Sequence, residues 1–222
     1  MIEYVFYLNL PDAVERRNNM EKRFPTAIRW EATGRDKVPK TLDERMVSRY
    51  NIKRDKHLAR CGCFMSHYTL LKHIVENKLN NVLILEDDAV LHDDSVKLED
   101  IEIGKGLTYL GGYFHPLKMT SKEIPEVISR EGLNRKSSDF RIIMMLSYAI
   151  SDWQFAGYML NYIDSQKRFR AIDIMVHDFP VKQYYIYPAL IVDSGDVSQI
   201  DPELQKVNST TTIHYKLKRH LK

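Results

Sequence analysis

The chain is short of cysteine, of long apolar runs and of net charge, and each shortage excludes something. Its two cysteines, Cys61 and Cys63, stand one residue apart. That spacing argues against an intrachain disulfide, and there is no second cysteine pair to complete a zinc site. They read as small buried residues of a protein in a reducing, cytoplasmic compartment. No apolar run approaches the roughly 18 residues that a membrane-spanning helix needs, so no transmembrane segment is expected. Met1-Ile2-Glu3 leads straight into a strand-like run, without the pattern of a signal peptide. Net charge is +3, from 33 basic and 30 acidic residues. That balance does not point to nucleic acid as a partner.

What is present is enough for a substantial core. The 222 residues are 44% hydrophobic and 28% charged, which suits one globular domain over 1–222. The chain is organised around Val82-Leu83-Ile84-Leu85, which runs directly into Glu86-Asp87-Asp88. A short run of branched apolar residues reads as a strand buried on both faces of a mostly parallel sheet. Ligands of such sheets bind beyond the carboxyl ends of the strands, where the three acids stand. Adjacent carboxylates repel one another unless solvent, cationic side chains or a metal offsets the charge. Oxygen-only donors suit a hard cation such as Mg²⁺ or Mn²⁺, held together with phosphate oxygens. The plainer alternative is a solvated acidic turn.

Earlier in the chain, Tyr4 to Leu10 reads as a strand, and Pro11-Asp12 breaks it. Asp12 is expected to cap a helix from Ala13 to about Phe24. Arg16 and Arg17 lie near the end of that strand, either facing phosphates or on a solvated helix face. Ile28 to Ala32 reads as a second strand, ending at Thr33-Gly34-Arg35-Asp36, where Arg35 and Asp36 could reach a nucleotide. Residues 37–57 read as a charged loop with short helical turns. Leu58 to Val75 has helical apolar spacing and carries Ser66 and His67.

Downstream of the acids, Leu107 to Leu110 reads as a strand and 113–140 as an irregular insertion. Phe140 to Ile150 is apolar enough for core, and Phe155 to Tyr162 continues as helix. Asp173, set in Ala171-Ile172-Asp173-Ile174-Met175, is a candidate general base or a helix cap, with His177 and Asp178 as competitors. Tyr184 to Val192 reads as one β-type run. Residues 203–222 form a basic C-terminal segment that could close over a diphosphate, touch an anionic membrane as a peripheral contact, or stay solvated.

Arg60-Cys61-Gly62-Cys63-Phe64-Met65-Ser66-His67, followed by Val82 to Ala89 with its Glu86-Asp87-Asp88, resembles the pattern of glycosyltransferase family 25. That family pairs a G-x-x-x-S-H element on a helix with a strand ending in E-D-D. The opening Leu8-Asn9-Leu10 with Arg16-Arg17 is similar to its first strand. Leu107-Thr108-Tyr109-Leu110-Gly111 and Ser147-Tyr148-Ala149-Ile150-Ser151 are similar to later ones, and Ser198 to a late serine. The chain departs at Thr33, where the family often has Asp before Gly34, and at Ala171-Ile172-Asp173, where it often has P-V-D and the proline is missing here.

The resemblance implies a single GT-A (Rossmann-like) α/β/α domain and transfer of a sugar from a nucleotide-sugar donor, a UDP-sugar, with inversion. It implies Asp88 as ligand to Mn²⁺ or Mg²⁺, with His214 as an added ligand. It implies Leu8, Asn9, Arg16, Thr33, Gly34, Arg35, Asp36, Ser66, His67, Glu86 and Asp87 as donor contacts, and Asp173 as base. Acceptors would be hydroxyls of a glycan, a lipid-linked glycan or a glycoprotein. Two other classes stay open: a non-catalytic glycan- or nucleotide-sugar-binding domain on this fold, and a nucleotidyltransferase. The latter would usually show an early glycine-rich phosphate loop, and Pro11 to Arg17 has no glycine.

Overall fold

Strand β1, Tyr4–Asn9, is apolar from Val5 to Leu8 because these residues fill two cores. Val5 and Tyr7 pack with Met20 and Phe24, while Phe6 and Leu8 pack with Leu70, Leu71 and Ile74. Strand β3, Val82–Glu86, repeats the pattern: Val82 and Ile84 join the second group, Leu83 and Leu85 the first. All four are fully buried, each contributing about 1.5–3 kcal/mol relative to an exposed side chain. In the computed structural model, residues 1–47, 52–116, 140–181, 183–186 and 189–195 are described.

The main sheet has six strands in the order β2-β1-β3-β6-β5-β7. Its other members are β2 (Ile28–Glu31), β5 (Leu107–Pro116), β6 (Phe140–Ile150) and β7 (Gln183–Tyr185). β1 pairs in parallel with β2 and β3, and β5 with β7, while β6 runs antiparallel to both β3 and β5. Helix α1 (Val14–Arg23) supplies Met20 to one face. Helices α3 (Arg54–Glu76), α4 (Trp153–Ser165) and α5 (Ile172–Asp178) cover the other. The short helix α2 (Lys40–Arg45) adds Leu42 to that second core. This is the α/β/α layering with a mostly parallel sheet that the apolar runs imply. A second sheet pairs β4 (Ala89–Leu91) with β8 (Ile191–Asp193). No helix among the described residues is long and apolar enough to cross a membrane.

Several local expectations change. Asp12 does not cap α1: the helix starts from Ala13 without a side-chain cap. Backbone bonds from Ala13 N–H to Leu10 O and from Val14 N–H to Asp12 O close the turn instead. Helix α3 begins at Arg54, four residues before its apolar spacing becomes visible. The run from Tyr184 to Val192 is two strands, β7 and β8, in different sheets. Ile186 N–H bonds Tyr109 O, next to the β5–β7 ladder, and Leu190 N–H bonds Leu110 O just before β8. β5 continues to Pro116 and β6 starts at Phe140, so both ends of the expected insertion are strand. Residues 117–139, Ser198, His214 and the basic segment lie outside the described residues.

Helix α3 ends in a motif that sets up β3. Lys78 N–H bonds Val75 O and Leu79 N–H bonds Ile74 O, with Lys78 at φ 53°. This is the left-handed cap usually made by glycine, accompanied here by the apolar pair Ile74 and Leu79.

Candidate active site

The parallel register sets Leu8 beside both Glu86 and Trp30, so β1, β2 and β3 end together. Beyond their carboxyl ends lies a cleft of about 770 Å³, a size that accommodates a nucleotide-sugar-sized ligand. Its walls are the turn from Leu10 to Ala13, the loop from Ala32 to Lys37, the inner face of α3, and Glu86 to Asp88.

The Gly62-x-x-x-Ser66-His67 spacing puts Gly62 and Ser66 one turn apart, facing the loop after β2. A side chain at Gly62 would bring its Cβ to 2.4 Å from Thr33 O. Only glycine lets the loop lie this close. Ser66 Oγ then accepts the Thr33 N–H at 2.8 Å and donates to Gly62 O at 2.7 Å. His67, fully buried, approaches the Tyr148 hydroxyl of β6 through Nδ1 at 2.9 Å. Its Nε2 has no hydrogen-bond partner among the described residues and lies 3.6 Å from Glu86 Oε1.

The acids are not equivalent. Both oxygens of Asp87 are engaged: Oδ2 accepts from Asn9 Nδ2 at 2.8 Å and Oδ1 from Arg16 at 2.5 Å. Asn9 also donates to Ala13 O and accepts from Arg29, so it ties β1, α1 and β2 to the acid turn. Burial holds the Asp87 carboxyl above its usual range, against the pull of Arg16 and Asn9. Asp88 touches Arg16 only at 3.4 Å through Oδ2, and its Oδ1 is buried without a hydrogen bond among the described residues. Burial first, then Glu86, Asp87 and Asp193, push its carboxyl up to about 8, with Arg16 opposing. The backbone at Asp88 is fixed because Ser194 N–H bonds Asp88 O and β4 pairs with β8 directly after it.

An orphaned buried oxygen among concentrated carboxylates fits a hard divalent cation, which would supply the missing partner and relieve the repulsion. Two further groups of donors could hold a metal ion: Cys63 with His67 and Glu86, and Asp43 with His57 and Cys61. In the second, Arg54 and His57 already occupy the Asp43 carboxylate. The first opens onto the cleft. Both cysteines are free thiols. Burial, then Glu86, Asp173 and Asp88, raise the Cys63 thiol well above its usual range.

Of the residues singled out in the sequence, Leu8, Arg16, Thr33, Gly34, Arg35, Asp36, Ser66, His67, Glu86, Asp87 and Asp88 line this cleft. Arg17 does not. Asn9 sits just behind the lining, under Asp87. Asp173 is in the first turn of α5 and is neither its cap nor part of the cleft lining. Its Oδ2 accepts the backbone N–H of Met144 at 3.2 Å. Met144 takes φ 65°, a conformation that costs a bulky residue energy and re-aims β6 locally. Asp178 is paired with Arg170 at 2.5 Å. Sequence reasoning passed over Cys63, Tyr148 and Asp193. Only the Cys63–His67 spacing of four, one helical turn, carries a local signal.

Residues 2–176 match the family described as "Glycosyltransferase family 25 (LPS biosynthesis protein)". The chain is 28% identical over 171 residues to procollagen galactosyltransferase 2 of Mus musculus, covering 66% of this chain and 26% of that protein. To procollagen galactosyltransferase 2 of Homo sapiens it is 25% identical over 218 residues, covering 82% of this chain and 32% of that protein. The chain thus spans about a quarter to a third of the length of these curated relatives. Among solved structures, a CTP:phosphocholine cytidylyltransferase from Streptococcus pneumoniae aligns over 99% of this chain and 78% of its own, at 12% identity and a TM-score of 0.42. A likeness that loose adds nothing to the choice between transfer chemistries. The family match covers most of the described elements, including the Gly62–His67 helix face and the acid turn, and on it the chain belongs to glycosyltransferase family 25.

Proposed function

We propose that the chain moves a sugar from a nucleotide-sugar donor, a UDP-sugar, to a hydroxyl of a glycan, lipid-linked glycan or glycoprotein, inverting the anomeric centre. Asp88 carries the reading: a buried carboxylate oxygen without a hydrogen-bond partner among the described residues, in a cleft large enough for the donor, where strand ends and acids converge. Asp88 would hold Mn²⁺ or Mg²⁺, and the ion would stabilise the departing diphosphate. His214, in the C-terminal segment, would be a second ligand. The names of the relatives make a galactosyl donor the first to try.

The chain's own residues divide the remaining work. Arg16, held between Asp87 and Asp88, presents a cation to the donor's phosphates when a metal takes over Asp88. Asp87 acts through Arg16 and Asn9, whose positions it sets. Leu8, Thr33 and Gly34 form the wall against the nucleoside, with Arg35 and Asp36 at the exposed rim. Ser66 keeps that wall in place through Thr33. Glu86, half-buried beside His67, contacts the donor's sugar side. Asp173, outside the cleft lining but near enough to raise the thiol of the lining residue Cys63, is the base that takes the acceptor proton, its carboxylate held by the Met144 N–H. The shared central sheet supports treating 1–222 as one domain.

Transfer assays on Asp88→Asn and Asp173→Asn test the reading. Asp88→Asn should lose cation-dependent donor binding. Asp173→Asn should keep donor binding and lose about 10²–10⁴-fold in turnover. Unchanged turnover in Asp88→Asn removes the metal role. A wild-type chain that binds donor and transfers to no acceptor is a binding domain instead.

A further inference from the structure

The cysteine count excludes a zinc site built from paired cysteines, yet the fold assembles one cysteine with two other donors. Cys63 and His67 are one turn apart on α3, and Glu86 reaches them from the end of β3. Their ligand atoms lie within 4.8 Å of one another. The His67 ring is fully buried, and its Nε2 has no hydrogen-bond partner among the described residues. At 3.6 Å from Glu86 Oε1 it is beyond hydrogen-bond reach. That separation suits a shared metal: tetrahedral zinc bonds of about 2.0–2.3 Å place neighbouring ligand atoms roughly 3.3–3.7 Å apart. The Tyr148 hydroxyl at Nδ1 supplies the outer partner that fixes a ligating imidazole in orientation. The carboxylates of Asp88 and Asp173 near the thiol make the spot attractive to a cation.

We infer that Cys63, His67 and Glu86 form a binding site for a borderline-soft divalent cation of the zinc type, separate from the oxygen-lined position at Asp88. Mixed sulfur, nitrogen and oxygen donors select Zn²⁺ over Mg²⁺. Three protein ligands leave a fourth position open to the cleft. Zinc bound there withdraws Glu86 from the donor and narrows the cleft, so it inhibits. The inhibition rests on the transferase reading above; the cation site itself does not.

Cobalt substitution of the full chain reads the site without any activity measurement. Co²⁺ added to the metal-free protein should give a sulfur-to-cobalt charge-transfer band, removed by one equivalent of Zn²⁺. Cys63→Ser should lose the band, and Glu86→Gln should weaken zinc at least tenfold, with both variants checked for folding by circular dichroism. Tyr148→Phe should weaken zinc about 10–100-fold. Asp88→Asn should keep both the band and the zinc stoichiometry. Absence of the band in the wild type overturns the site. So does a band lost in Cys61→Ser but kept in Cys63→Ser, which would place the metal at Asp43 and His57. Loss of zinc binding in Asp88→Asn would show one shared site and overturn the separation. If zinc binds as described and no donor is ever turned over, the transferase reading fails and the cation site stands.

Discussion

Replacing Gly62 by alanine sets helix propensity against packing, with Gly157 as the control. Alanine in a helix interior is favoured over glycine by about 0.5–1 kcal/mol. At Gly157, within α4, the new Cβ would stand 3.7 Å from Val75 Cγ2, an ordinary contact, so Gly157→Ala should gain about that amount. At Gly62 the Cβ would meet Thr33 O at 2.4 Å. Carbon and oxygen normally approach to about 3.3 Å, so the loop must withdraw by roughly 1 Å. The obstacle is backbone, anchored by the Thr33–Ser66 bond, and cannot rotate away. Overpacking of this kind costs about 1–3 kcal/mol, and loss of the hydrogen bond costs about 0.5–1.5 kcal/mol. After the propensity gain of about 0.5–1 kcal/mol, Gly62→Ala should lose roughly 0.5–4 kcal/mol. Urea unfolding followed by tryptophan fluorescence reads both variants: the midpoint should fall for Gly62→Ala and rise for Gly157→Ala, with unchanged slopes. Donor affinity should drop for Gly62→Ala alone, because Thr33 and Gly34 line the cleft. If Gly62→Ala is as stabilising as Gly157→Ala, the loop does not rest on α3 and the cleft wall described above is wrong.

Other residues give further outcomes. The Asp88 carboxyl titrates at its ordinary value in the unfolded chain but only at about 8 in the fold. The unfolded chain therefore releases its proton first, and metal-free stability falls as pH rises through that window. Asp88→Asn removes this loss, so it should be more stable than wild type at about pH 8 and not at about pH 4; an equal gap at both would refute the cause. Arg16→Met should destabilise by about 1.5–3 kcal/mol, and adding Asp87→Asn should recover part of that; strictly additive losses would show an uncoupled pair. Tyr148→Phe leaves His67 Nδ1 unpaired and should cost about 1–3 kcal/mol by urea unfolding, with no change marking the contact as unimportant. Lys78→Gly relieves the left-handed cap of α3 and should stabilise by up to about 1 kcal/mol; destabilisation would contradict that conformation.

The sequence showed the site's parts more clearly than their partners. β1 and β3 are legible because strands buried on both faces carry unbroken apolar runs, Val5 to Leu8 and Val82 to Leu85. The Gly62, Ser66 and His67 spacing marks a helix face, though not that Ser66 bonds a loop 33 residues away. The reversed direction of β6 was hidden, since an apolar run has no sign. β7 and β8 looked continuous because their separation lies in their partners, β5 for one and β4 for the other, and not in their own residues. Asp12 matched a cap pattern, but the backbone closes that turn unaided. Asn9 with Asp87 and His67 with Tyr148 are 78 and 81 residues apart, beyond the reach of any local pattern.

A thermal-shift panel decides whether Asp88 anchors a metal-dependent donor site: UDP-, GDP-, CMP- and dTDP-sugars, each with Mn²⁺, Mg²⁺ or EDTA, on wild type and Asp88→Asn. Donor at a hundredfold excess over its Kd adds about 2.7 kcal/mol, which raises Tm by roughly 5–10 °C for a chain of this size. The expected result is that shift for the UDP-sugar alone, present with Mn²⁺ or Mg²⁺, lost in EDTA and lost in Asp88→Asn. An equal shift in EDTA, or no shift with any donor in a folded sample, would contradict it.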